Sequence, residues 1–308
     1  MTEIRRLKEL SPVLRLRVRL ILELNLMLIL KEGIKVNKDL PVVSVIITTK
    51  NEEKNIENCL KSVQKQDYDK EKLEIIVVDN NSTDRTKEIA SQFTDKIFDK
   101  GPERSAQRNF GAEKSYGKYI LYLDADMILS EKVISECVMK SEKGRIVGLY
   151  IPEVIIGSGF WIKVRNFERS FYNATCIDAV RFILREKFLE INGFDLSMTG
   201  PEDWDLDRRL EEKGKLDIIV SNLFHNEGSF NLRKYISKKG YYSKSFDSYI
   251  EKWGSKDKII RKQLGLYYRF IGVFIERSNW RKLLIHPFLA GSMYFLRFLV
   301  GVTFVLKK

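Results

Sequence analysis

Apolar and polar positions from Pro41 onward follow two periods in turn. Three stretches, Val42 to Thr49, Leu73 to Asp79 and Tyr119 to Leu123, are nearly continuous apolar runs. Runs of that length read as strands buried on both faces. Between the first two, residues 51 to 66 carry Ile56, Cys59, Leu60 and Val63 at helical spacing, which predicts an amphipathic helix. A second helix is predicted after NNSTDRT, with Ser82 or Thr83 as its N-cap. A short strand near residues 96 to 99, a helix over about 103 to 115 and the strand ending at Asp124 complete the pattern. Such alternation predicts an α/β domain with a mostly parallel, Rossmann-like sheet flanked by helices, spanning residues 39–229. Polar clusters follow the strand ends at Lys50 to Glu52, Asp79 to Asp84 and Asp124 to Asp126. In an open α/β sheet that edge is where ligands bind.

The flanks have a different pattern. In the N-terminal segment, 1–38, apolar residues occupy every even position from 14 to 28, a strand-like period, while the abundant Leu, Arg and Glu favour helix. The segment reads as an interfacial helix with Arg15, Arg17 and Arg19 at lipid phosphates, or as an ordinary surface helix. Residues 230–282 interleave aromatics with Lys and Arg, a mixture suited to the boundary between water and lipid. The last segment, 283–308, is mostly apolar and long enough to span a bilayer at about 1.5 Å per residue. His286, Pro287 and the central Arg297 interrupt it. A tilted span, a re-entrant hairpin and a helix packed on a partner all fit. N- and C-terminal membrane-associated helices are therefore expected around the α/β domain.

Charge sharpens this division. The chain has 308 residues and a net charge of +12. Residues 1 to 35 hold net +4 and residues 228 to 308 net +13, which leaves −5 for the middle. An acidic centre with basic flanks places the basicity on the appendages and on what they touch. Together with the apolar tail, this favours an anionic membrane surface over nucleic acid. Cys59, Cys137 and Cys176 are too few and too scattered for a disulfide framework or a zinc site, and imply a reducing compartment.

The candidate chemistry starts at Asp124 and Asp126, two carboxylates delivered by one strand end. On extended chain they would point the same way. Without a basic neighbour they would repel, unless Mg²⁺ or Mn²⁺ with a phosphate ligand sat between them. By itself the Asp-Ala-Asp triplet reads as well as a solvated turn. Arg104 and Arg108 lie four apart on one predicted helix face, and guanidinium geometry suits phosphate oxygens.

The motifs SVIITTKNEEKNIENCLKSV, EIIVVDNNSTDRT, KGPERSAQRNFGAEKSYGKYILYLDADM and GPEDWDLDRRL occur in that order. Their sequence and spacing resemble the family 2 inverting glycosyltransferases of the GT-A fold, over about residues 41 to 227. The resemblance implies a nucleotide-sugar donor, a divalent metal and inversion at the anomeric carbon. It assigns donor binding to Thr48, Lys50, Glu52, Asp79, Asn81, Arg104 and Asp124, with Trp204 walling the acceptor side of the pocket; Arg233 either closes over the donor phosphates or meets lipid. It gives the metal to Asp126 and Asp124, with His225 beside it. Asp203 matches the family's catalytic base, while Glu202, Asp205 and Asp207 lie close enough to compete. Helix capping is the alternative for Asn81 to Asp84, and an acidic helix start is the alternative for the four acids.

The expected function is metal-dependent sugar transfer, with mannose from GDP-mannose the first choice, to a lipid-linked, polyprenyl-type acceptor. The expected location is a cell membrane with the catalytic domain cytoplasmic and no nucleic-acid partner. A UDP-sugar-dependent transferase of cell-surface polysaccharide synthesis is the alternative within this class. A nucleotidyltransferase is the alternative outside it, although the loop TTKNEEKN lacks the glycine such enzymes use to cradle phosphate.

Overall fold

The structure, a computed structural model, describes residues 40–306. The helix expected at residues 13 to 30 lies outside them. Pro41 onward forms one compact unit.

Among the described residues, ten strands build two sheets. The strands are β1 (Val43–Thr49), β2 (Leu73–Asp79), β3 (Ile97–Asp99), β4 (Tyr119–Asp124), β5 (Met127–Leu129), β6 (Ile146–Tyr150), β7 (Glu153–Ser158), β8 (Val180–Leu184), β9 (Lys215–Ile218) and β10 (Leu223–Ser229). The main sheet has the order β3-β2-β1-β4-β8-β6-β9. Its first four strands are parallel, and β8 runs antiparallel to both β4 and β6. A small second sheet, β5-β10-β7, stands apart.

The helices that matter here are α1 (Ile56–Gln64), α2 (Thr86–Ala90), α3 (Arg104–Lys114), α4 (Val133–Gly144), α5 (Phe160–Arg169), α6 (Arg185–Glu190), α7 (Glu202–Glu211), α8 (Leu232–Tyr242), α9 (Phe246–Trp253), α10 (Lys258–Leu264), α11 (Arg281–Ile285) and α12 (Pro287–Leu306). Strand alternation sorts them. Val43, Val45 and Ile47 of β1 face the core built with α1 and α4. Ile46, between them, faces the core built with α3, α6 and α7. Gly111 lets α3 sit close on β1, because a Cβ there would lie 2.4 Å from Ile46 Cγ2.

Two helices start later than their sequence pattern suggests. α1 begins at Ile56 rather than near Asn51, because Asn51 has a left-handed φ of 54° and residues 51 to 55 form a turn. α2 begins at Thr86, and neither Ser82 nor Thr83 caps it. Ser82 instead hydrogen-bonds to Asp79, and the Thr86 amide donates to Asp84 Oδ1 at 3.0 Å.

The C-terminal segment is resolved into parts by its partners. α12 lays Ala290, Met293 and Leu296 against Val164 and Phe167 of α5 and against Val273 and Phe274. Arg297 is buried in protein, where its Nε lies 3.0 Å from Glu168 and its guanidinium also donates to Tyr172 Oη and the Arg269 carbonyl. Among the described residues no helix is long and apolar enough to cross a membrane.

Candidate active site

Strand order reverses at β1: the chain moves from β1 through β2 to β3, then returns to β1's other side as β4. Ligand crevices form outside the carboxyl ends of strands at such a point. Register brings the expected residues to that edge, with Thr48 opposite Asp124 and Thr49 opposite Asp79.

The loops after β1 and β2 are zipped together. Asn51 N donates to Ser82 Oγ at 2.7 Å, Thr83 N to Asn51 Oδ1 at 2.8 Å and Glu52 N to Thr86 Oγ1 at 2.7 Å. Asp79 is fully buried, and its two oxygens take the Ser82 amide and hydroxyl. Thus Asp79 and Ser82 to Asp84 shape the loop through bonds within the protein. Lys50 and Asn81 are exposed at its rim.

Asp124 has basic neighbours on the adjacent helix, contrary to the premise that the carboxylate pair lacks them. Its Oδ1 accepts from Thr48 Oγ1 at 2.9 Å and from Arg108 Nη2 at 3.0 Å, and its Oδ2 accepts from Arg104 Nη1 at 3.1 Å. Burial alone would raise its pKa. Arg108, Arg104 and Arg181 outweigh burial and hold the carboxyl well below the usual range.

The two arginines of α3 have distinct places. Arg108 is buried, with its guanidinium 4.5 Å from the centre of the Tyr122 ring, and its Nη1 donates to Asp203 Oδ1 at 3.2 Å. It therefore joins Asp124 to α7. Arg104 keeps a partly open side chain and donates its Nη2 to Tyr242 Oη at 2.8 Å, so the end of α8 reaches the site. Gly200, at φ +117°, makes room for this, since a Cβ there would lie 2.6 Å from the Tyr242 carbonyl.

The four acids in the first half of α7 separate by environment. Asp205 is fully buried and serves Arg209, Lys252 and Trp253. Asp207 accepts from the Val180 amide at 3.1 Å, and Glu202 folds back on the Gly200 amide. Asp203 alone of the four combines an exposed fraction of 26% for its side chain with a bond to Arg108. The helix is braced from outside by the bidentate pair of Arg208 with Asp257, both bonds 3.1 Å.

Asp126 lies in the turn past β4, so strand alternation does not set its direction. Its Oδ2 is 3.2 Å from His225 Nε2, while its Oδ1 is buried with no hydrogen-bond partner. His225 Nδ1 lies 3.0 Å from Glu153 Oε1. Burial opposes the imidazolium, but bonds to Asp126 and Glu153 push its pKa up to about 10. Glu153, buried beside Arg169 and Arg181, is held well below the usual carboxylate range. Glu52 completes the mouth: burial first, then Asp126, Asp124 and Asp84, raise its pKa.

This arrangement bears on a divalent cation. Among the described residues no group of three or more His, Cys, Asp or Glu converges to cage a metal. What the chain offers is an orphaned, buried Asp126 oxygen next to an imidazole, within reach of further negative charge. That set fits Mg²⁺ or Mn²⁺, which take one or two protein ligands and complete their shell with substrate phosphate and water. Asp124, expected as a metal ligand, already has both oxygens engaged by Thr48, Arg104 and Arg108.

Two further residues were expected at the pocket, Trp204 and Arg233. Trp204 stacks on Phe246, with ring centres 6.0 Å apart, under the Arg269 guanidinium. It belongs to the packing between α7 and α9. Arg233 is exposed in the first turn of α8. Conversely, sequence reading left out Glu153 and Tyr242 and did not give Arg108 its bridging role. The only sequence signal for any of them was the helical spacing of Arg104 and Arg108.

A family model described as Glycosyl transferase family 2 matches residues 44–197. Glycosyltransferase AglE of Haloferax volcanii is 47% identical over 94 residues, 28% of this chain and 31% of that protein. A GalNAc(5)-diNAcBac-PP-undecaprenol beta-1,3-glucosyltransferase of Campylobacter jejuni is 31% identical over 115 residues, 34% of this chain and 36% of that protein. The chain thus matches about a third of the length of these curated relatives. Among solved structures, mannosyltransferase PcManGT from Pyrobaculum calidifontis, in complex with GDP-Man and Mn²⁺, superposes with a TM-score of 0.55 at 18% identity, covering 87% of this chain and 81% of that one. That likeness is one of fold.

Proposed function

The chain belongs to glycosyl transferase family 2, and from that premise we propose that it transfers a sugar with inversion from a nucleotide donor to a lipid-linked acceptor at the cytoplasmic face of a membrane. One observation carries the reading: Arg108 joins Asp124, at the donor edge of the sheet, to Asp203, the accessible one of the four acids in the first half of α7. Donor and acceptor chemistry then share a single crevice. The acceptor hydroxyl oxygen attacks the anomeric carbon, its proton passes to Asp203, and the bond from that carbon to the diphosphate oxygen breaks. Asp203 acts from the face opposite the leaving group, as inversion requires. Arg104, the more open of the two arginines, meets the negative charge that develops on the diphosphate. Thr48, Glu52 and the rim residues Lys50 and Asn81 border the nucleoside. Asp126, joined by His225 once the imidazole gives up its proton, would hold the divalent cation, which would supply Lewis-acid stabilisation of the leaving diphosphate.

GDP-mannose remains the preferred donor, with UDP-sugars second. The fold likeness to a protein solved with GDP-Man supports this donor, and the Campylobacter relative, whose name gives a PP-undecaprenol acceptor, supports the lipid-linked acceptor. A thermal-shift comparison of GDP and UDP with Mn²⁺ tests the donor choice. A nucleotide present at 100 times its Kd stabilises by about 2.7 kcal/mol, which in a chain of this size is about 4 °C. GDP should give the larger shift. A larger shift with UDP selects the second donor class, and no shift with either refutes nucleotide-sugar use.

A further inference from the structure

Among the described residues, eighteen large apolar side chains are exposed, and ten of them fall within residues 266 to 298. The concentration has a helical geometry. Along α12, Ala290, Met293 and Leu296 point into the protein, while Phe288, Gly291, Phe295 and Phe298 recur at the spacing of the opposite face and are exposed. Phe288 is 86% exposed, Phe295 51% and Phe298 62%. At about 200 Å² per ring, these three leave about 400 Å² of aromatic surface in water, on the order of the largest apolar patch on an ordinary monomer. Leu284 and Ile285 on α11 add to it. No charge interrupts the outer face of α12, because Arg297 is turned inward to Glu168.

Cations border this face. Arg281 lies over the ring of the half-exposed Trp280, 5.8 Å from its centre. On either side of Arg281 in the chain, Arg277 and Lys282 line a cleft of about 440 Å³ with Asn173, Asn222 and Asn279 among its walls and no carboxylate. Glu276, the acid of this stretch, is already paired with Lys262 at 3.0 Å. Residues 228 to 308 as a whole carry net +13.

We infer that the outer face of α11 and α12 rests on an anionic lipid bilayer, with its rings in the acyl boundary and Arg277 and Lys282 drawing lipid phosphates to the adjoining cleft. An apolar face edged by Trp and by cations, on a helix whose other side is packed in protein, is the arrangement of an in-plane anchor rather than of a span. The charge favours this occupant over a second copy of the chain, which would bring the same cations against themselves. The inference goes beyond sugar transfer and does not depend on the donor.

Sedimentation of the full chain with vesicles tests it, using phosphatidylcholine alone and phosphatidylcholine mixed with phosphatidylglycerol. Wild-type protein should bind the mixed vesicles and bind neutral ones much more weakly. Phe295→Glu with Phe298→Glu should lower binding at least tenfold while keeping the wild-type Tm and nucleotide shift. Arg277→Ser with Lys282→Ser should weaken binding to mixed vesicles about 30-fold, from two cations near an anionic surface. Brominated acyl chains should quench tryptophan emission of the wild-type protein, a readout that needs no variant. No binding to either vesicle, or equal binding to both, would overturn the proposal. So would undiminished binding by the double glutamate variant, which would give the contact to another segment, residues 1–40 included. A lipid-free dimer that the same variant dissolves would assign the face to a second copy instead.

Discussion

Replacing Arg108 with methionine keeps much of the side chain's volume and removes the charge that Asp124 and Asp203 share. Breaking a buried ion pair by removing one partner costs about 3 to 5 kcal/mol. Here the lower end applies. Asp124 keeps Thr48 and Arg104, and Asp203, at 26% side-chain exposure, can regain water. The expected loss is therefore about 3 kcal/mol, or a Tm lower by about 5 °C. Asp203 would also lose its anchor, and misplacing a reacting group by about 1 Å costs roughly 100-fold in rate. The pH dependence has a definite sign. Arg108 helps depress the Asp124 pKa, so its contribution is present above the unfolded carboxyl value of 3.8 and is lost as pH falls through the lower folded value. Urea denaturation of both proteins should show the full gap near neutral pH and a shrinking gap below about pH 4. A gap under about 1 kcal/mol, or one that does not change with acid, would refute the bridging role.

Two further outcomes test other parts of the structure. His225 titrates at about 10 in the fold against an ordinary 6.5, so the stability it contributes is present below pH 6.5 and lost as pH rises through about 10. With chelator present, the stability difference between wild type and His225→Asn should shrink from pH 6 to pH 10, and a constant difference would count against the Asp126 and Glu153 contacts. Gly111→Ala forces a Cβ to within 2.4 Å of Ile46, and overpacking of that kind costs about 1 to 3 kcal/mol, only partly offset by the roughly 1 kcal/mol by which alanine favours helix. A stabilised variant would contradict the close seating of α3 on β1.

Parts of this fold were legible from sequence because burial on both faces leaves an unbroken apolar run. β2 matches the run from Leu73 to Asp79 residue for residue, and β4 ends at Asp124 as read. The inner face of α1, with Ile56, Cys59, Leu60 and Val63, follows from helical spacing alone. The β5-β10-β7 sheet was not legible: β10 carries His225, Asn226 and Glu227 in its middle, so it has no apolar run, and its partners come from distant segments. Spacing put Arg104 and Arg108 on one side of a helix, but only tertiary packing buries one beneath Tyr122 and leaves the other near the opening. Likewise, the tail's hydropathy sums both faces of α12 and does not distinguish the face packed on α5 from the one left open. Arg297 looked like a charge stranded in lipid because Glu168, its partner, is far away in sequence.

In the proposed mechanism Asp203 removes a proton from an acceptor whose sugar donor is bound by other groups. Asp203→Asn tests it most directly, by following labelled sugar from GDP-mannose into extracted lipid alongside calorimetric nucleotide binding with Mn²⁺. Transfer should fall by about 10² to 10⁴, while the nucleotide Kd stays within about threefold. Transfer at the wild-type rate, or loss of nucleotide binding together with transfer, would contradict the assignment.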